Sequence, residues 1–158
     1  NVTHTLVVAN RTLTSEDRFA INNHIVQTLI MLTKLPWPKH LQRIPDLATN
    51  HHERMDGQGY PRRLQAAQMS VEERVLALAD VFEALTAADR PYKSAKTIAE
   101  SLIIIAKMCQ ENHLDRTLFI YFVQSRLWLD YAQQFIPPHQ VDEVDIDAVV
   151  RTAKANHT

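Results

Sequence analysis

The sequence predicts an all-α protein, a helical bundle of about five to seven helices. Three observations carry this reading. Only two of the 158 residues are glycine and 46% are apolar, a composition that disfavours both turn-rich sandwiches and disordered chains. The apolar residues recur at spacings of three and four, with little of the alternation that a half-buried strand requires. Two capping boxes, Ser70–Glu73 and Thr97–Glu100, stand directly before such runs.

The elements follow in order. Thr14 is a natural N-cap, with Glu16 and Asp17 in the first turn. Phe19, Ile21, Ile25, Val26, Leu29, Ile30 and Leu32 then keep helical spacing until Pro36 and Pro38 end the run. A second helix is expected from about Leu41 or Pro45 into His51–Glu53. Both glycines, Gly57 and Gly59, fall in the turn Asp56–Pro61. Ser70 opens a third helix through Val75, Leu78, Val81, Phe82 and Leu85, and Asp89–Tyr92 reads as a loop. Thr97 caps a fourth helix to about Asn112. Asp115–Phe135 reads as one helix rich in large apolar residues, stopped by Pro137 and Pro138. From Gln140 the chain is acidic and then polar, and 137–158 reads as a tail.

Composition narrows the function. A net charge of −1 leaves no basic footprint for nucleic acid. The single Cys109 excludes an internal disulfide framework and fits a reducing, cytoplasmic setting. No apolar run is long enough to span a bilayer. The opening NVTHTLVVANR lacks Met, cap and period, which suggests a fragment with upstream domains missing.

His24, His51, His52 and Asp80 stand out as potential metal ligands. Asp80 lies in the apolar stretch ALALADVFEAL, where a carboxylate is costly to bury unless it is paired or bound to a metal. Taken singly, His24 reads equally as a satisfied core or surface histidine and Asp80 as a helix-edge residue. Adjacent histidines arise by chance in a chain with eight. Neighbours on a helix point about 100° apart. The pair would therefore suit two adjacent metals, or one metal and a substrate anion. Imidazole with carboxylate suits iron, manganese, zinc or nickel rather than calcium or magnesium.

HHERMDGQGYP, followed by ADVFEALTAADRPYK, closely resembles the HD-GYP family of metal-dependent phosphohydrolases, all-helical signalling domains of which many hydrolyse cyclic di-GMP. The resemblance covers about 13–93 as the matched core, with 94–136 as a helical extension; it makes the chain the C-terminal part of such an HD-domain-like bundle. It implies that His24, His51, His52 and Asp80 hold divalent transition metal, iron or manganese first, zinc or nickel second. It places Gly59, Tyr60 and Pro61 on the lip of the site. Arg90 and Lys93 face substrate phosphates, and Glu83 stands where the family has aspartate. Close backbone approach and positive φ account for the two glycines in that loop.

The chain departs from the family in one respect: it contains no His-Asp dipeptide. That pair supplies an aspartate that bridges metals, followed closely by a lysine that contacts substrate. Either its helix lies upstream or the pair has decayed, and the second reading is slightly favoured. Without the bridge, a centre of two or three metals is hard to assemble. The implied activity is cyclic di-GMP hydrolysis. Two alternatives stand beside it: a degenerate module that binds or senses a nucleotide, and a phosphohydrolase for another nucleotide. The partners implied are cyclic di-GMP or a related nucleotide, a diguanylate cyclase, an upstream sensor domain and a second copy in a homodimer.

Overall fold

A computed structural model of the chain describes residues 15–87 and 95–155. Among them are seven α-helices: α1 Ser15–Thr33, α2 Ile44–Asn50, α3 Val71–Thr86, α4 Ile98–Gln110, α5 Arg116–Gln124, α6 Leu127–Phe135 and α7 Ile146–Lys154. Short 3-10 turns stand at Lys39–Leu41, Ala66–Gln68 and Pro138–Gln140. The only β-type pairing among the described residues is an isolated bridge between Asp56 and Gln65. The all-α expectation holds. Thr14, the expected first cap, lies outside the described residues.

The chain divides into two compact units, 1–77 and 78–158, and the division falls within α3. In the first unit α1 packs on α2, with Ile25, Pro45, Thr49 and Met69 buried. Pro45 enters the first turn of α2, where its missing N–H costs nothing. Ser70 and Glu73 cap α3 reciprocally: the Glu73 N–H donates to Ser70 Oγ at 3.3 Å, and the Ser70 N–H to Glu73 Oε2 at 3.4 Å. The predicted box is therefore the observed one.

In the second unit α4 is the central element. Ile98, Leu102, Ile105 and Ala106 on α4, Phe119 and Val123 on α5, Ala132 on α6 and Ala153 on α7 are all fully buried. Thr97 and Glu100 form the expected capping box at the start of α4. Phe82 meets Phe122 and Tyr131 edge-on, with ring centroids 5.2 and 5.8 Å apart.

Two expectations are corrected here. Asp115–Phe135 is not one helix: it breaks at Ser125–Arg126, where Arg126 adopts φ 59°. A left-handed residue ends a helix, and the Val123 carbonyl then accepts from both the Arg126 N–H at 3.3 Å and the Trp128 indole N–H at 3.0 Å. The segment 137–158 is not merely a polar tail. Asp145 caps α7 by accepting from the Ala148 N–H at 3.0 Å, and Val149, Val150 and Ala153 are buried where α7 packs on α4 and α5. Gln140 is buried at 2% exposure and donates from Nε2 to the carbonyls of Thr86 (2.9 Å) and Lys96 (3.1 Å). Apolar pairs spaced three apart were hidden among acids, so the amphipathic face of α7 was easy to miss. No helix among the described residues is long and apolar enough to cross a membrane.

Cys109 lies in this core at 1% exposure, and burial pushes its thiol up to about 12. The folded chain should therefore show no reaction with an aromatic disulfide reagent at pH 8, and one thiol should appear on denaturation. Rapid titration of the native chain would contradict the burial.

Candidate metal centre

Helix α2 stops one residue before the histidine pair, a further correction to the expected span. His51 is its C-cap, still in the right-handed region, and the Glu53 N–H closes a short turn on the Asn50 carbonyl at 3.0 Å. The chain must leave the helix here because of what Glu53 does. Its side chain is 2% exposed, yet both carboxylate oxygens are satisfied by the returning strand of the loop. Arg62 N–H donates to Oε1 at 2.5 Å, and Leu64 N–H to Oε2 at 2.9 Å. Burial raises the Glu53 pKa, against the lowering effect of these backbone donors and the Arg62 charge. Sequence reasoning passed over Glu53; its place directly after the histidines was the available signal.

The two glycines divide the work of the loop. Gly57 takes φ +76°, a conformation that costs other residues roughly 1–2 kcal/mol. Gly59 is needed for space: a Cβ there would lie 2.4 Å from Arg54 N and 2.6 Å from Glu53 Cα. The loop is thus pressed against the backbone of the histidine turn. Its next residue, Tyr60, donates its N–H to the His52 carbonyl at 3.4 Å, and the Tyr60–Pro61 peptide is cis. Of the expected lip residues, Tyr60 lies against His52, and Gly59 is buried as a spacer against the backbone of Glu53 and Arg54.

The Tyr60 ring stacks on the His52 ring, with centroids 5.1 Å apart and planes 12° off parallel. Tyr60 Oη lies 3.3 Å from His52 Nδ1. In the tautomer whose Nδ1–H donates to that oxygen, the lone pair of the neutral imidazole resides on Nε2. Nε2 is buried and has no hydrogen-bond partner among the described residues. Burial first, and then the neighbouring His51, lower the His52 pKa to about 4, so the ring is neutral at physiological pH. A buried, neutral imidazole with one nitrogen oriented by a phenol and the other unsatisfied has the form of a metal ligand. The His51 and His52 ring centroids are 4.1 Å apart with the planes tilted by 42°. Because the pair sits at a helix end, the rings do not diverge as they would in mid-helix, which removes the expected bar to sharing one ion.

The remaining sequence candidates are placed as follows. Asp80 and Glu83 lie three residues apart on α3, Asp80 partly buried and Glu83 exposed. His24 lies on α1, but its side chain is outside the described residues, as are Arg90 and Lys93 altogether. His51 and His52 stand together in the first unit, and Asp80 belongs to the second.

Comparisons with known proteins identify the family. A family model described as "HD domain" matches residues 3–118. The chain is 44% identical over 78 residues to a 3'3'-cGAMP-specific phosphodiesterase of Vibrio cholerae, covering 49% of this chain and 18% of that protein. It is 41% identical over 83 residues to a cyclic di-GMP phosphodiesterase of Pseudomonas aeruginosa, covering 52% and 19%. It is 50% identical over 56 residues to a cyclic di-GMP phosphodiesterase response regulator of Xanthomonas campestris pv. campestris, covering 35% and 15%. The matched stretch thus spans less than a fifth of each of these relatives.

The two glycine roles are separable. Gly59→Ala should destabilise the chain by about 1–3 kcal/mol, through a backbone clash that no rotamer relieves. Gly57→Ala should cost about 1–2 kcal/mol through its φ alone. Denaturant unfolding that finds Gly59→Ala neutral would contradict the close approach.

Proposed function

The chain belongs to the HD domain family, and from that premise we propose that it is a bacterial signalling domain of the metal-dependent phosphohydrolase type, acting on cyclic di-GMP or a closely related cyclic dinucleotide. The observation that carries the reading is the buried His52, oriented by Tyr60 and left with an Nε2 unsatisfied among the described residues. His51, His52 and Asp80 form the proposed metal group, with His24 as a further ligand. Two or more imidazoles with a carboxylate favour a divalent transition metal, and iron or manganese is proposed, ahead of zinc or nickel.

A divalent ion in such a group polarises a phosphoryl oxygen and acidifies water toward neutrality. The chain's own residues do the positioning. Tyr60 fixes the His52 tautomer, and the Glu53-held loop keeps the tyrosine in place. Arg90 and Lys93 are proposed to steady the phosphates, Arg90 the better shaped of the two. Glu83, exposed on α3, is proposed to meet the nucleotide or a water. In the net reaction water adds to phosphorus, the P–O bond to the ribose breaks, and the ribose oxygen takes the proton. The relatives named for cyclic di-GMP and for 3'3'-cGAMP support a cyclic dinucleotide as the substrate class. The other readings are a nucleotide-sensing module without turnover and a phosphohydrolase for another nucleotide. A diguanylate cyclase, an upstream sensor domain and a second copy are the proposed macromolecular partners.

With manganese or iron supplied, the chain should hydrolyse cyclic di-GMP to the linear dinucleotide. His52→Ala and Asp80→Asn should each lower turnover by about 100-fold or more, while His139→Ala, exposed on its 3-10 turn, should leave it unchanged. Tight binding without product, in the wild type as in the variants, would favour the sensing module.

A further inference from the structure

The loop that serves the histidines carries a residue that its backbone disfavours. Arg63 is exposed and adopts φ 54°, where an L-residue other than glycine or asparagine costs roughly 1–2 kcal/mol. It is also the middle residue of the grip described above, because Glu53 accepts from the N–H groups of Arg62 and Leu64 on either side. The backbone at Arg63 is thereby held by Glu53, the residue that follows His52 in the chain. A rare conformation held this firmly is a recurrent mark of functional positions.

Its charge is also unlike that of its neighbours. Arg43 faces Glu72 at 3.2 Å, Arg54 faces Asp56 at 2.9 Å and Arg62 faces Asp46 at 3.0 Å. Arg74 donates to the Ala66 carbonyl. Arg63 has no carboxylate partner among the described residues. It presents an exposed planar guanidinium, the geometry that matches a phosphate in bidentate fashion.

We propose that Arg63 is a substrate-binding residue that contacts a phosphate of the cyclic dinucleotide. This rests on the function proposed above and extends its site to the residue two beyond Pro61. The left-handed backbone then reflects a trade, with stability given up so that a charged side chain stands where glycine would fit more easily.

The trade gives a test with opposite signs. Affinity for cyclic di-GMP is measured by calorimetry, and stability by thermal unfolding, for the wild-type chain and for Arg63→Gly, Arg63→Gln and Arg63→Lys, each with its metal content determined. Arg63→Gly should unfold no earlier than the wild type, yet bind cyclic di-GMP about 10-fold or more weakly. Arg63→Gln, which keeps the strain and loses the charge, should bind as weakly as Arg63→Gly, and Arg63→Lys should recover part of the loss. Equal affinity in the wild type, Arg63→Gly and Arg63→Gln would overturn the proposal and leave the metal site standing. A wild-type chain that holds metal but binds no cyclic di-GMP would overturn it together with the nucleotide reading. Arg63-dependent binding by a chain without metal would support it and remove the metal reading alone.

Discussion

The buried carboxylate of Glu53 is the constraint on which the site depends. A charge at 2% exposure is expensive unless its lone pairs are filled, and here they are filled by the N–H groups of Arg62 and Leu64. To bring those donors to Glu53, the chain must leave α2, reverse and return within nine residues (the separation of Glu53 and Arg62). That reversal explains the rest of the loop. Gly57 supplies the positive φ and Gly59 the close approach. Tyr60 comes to lie flat on His52, and the imidazole is desolvated and neutral. The features of the histidine pair that suit a metal are therefore consequences of one anionic side chain satisfied entirely by backbone.

Much of the helical fold was legible because its signals are local. The capping boxes at Ser70 and Thr97 were read as found; a Ser or Thr followed by Glu three residues later satisfies two backbone donors wherever it occurs. The break at Arg126 was not legible. Left-handed helix ends are normally announced by glycine, and here an arginine takes that conformation while Trp128 supplies one of the hydrogen bonds that hold the corner. Helix α7 was missed for a different reason. Its stability comes from burying Val149, Val150 and Ala153 against elements distant in sequence, and tertiary packing leaves little trace in composition.

For the site, ligand chemistry was legible and geometry was not. His51, His52 and Asp80 were picked out as residue types, from donor chemistry and the quoted motifs. The role of Tyr60 as the partner of His52 Nδ1, the function of Glu53 as a clamp and the exposed, strained Arg63 all required coordinates. Each depends on which backbone groups meet across the loop, and a sequence pattern does not specify that. Close approach and positive φ were both expected of this loop's glycines, but which glycine serves which need was visible only in the structure.

The most direct test of the central claim is the transition-metal content per chain, by elemental analysis, of wild-type protein and of Glu53→Gln. Glutamine keeps the shape but turns an N–H₂ toward one of the two backbone donors, so the loop loses half of its grip. The account predicts iron or manganese bound to the wild type and largely lost from Glu53→Gln, with the helical circular dichroism of the two chains alike. A wild-type chain that carries no metal, or a variant that retains it as well as the wild type, would contradict the account.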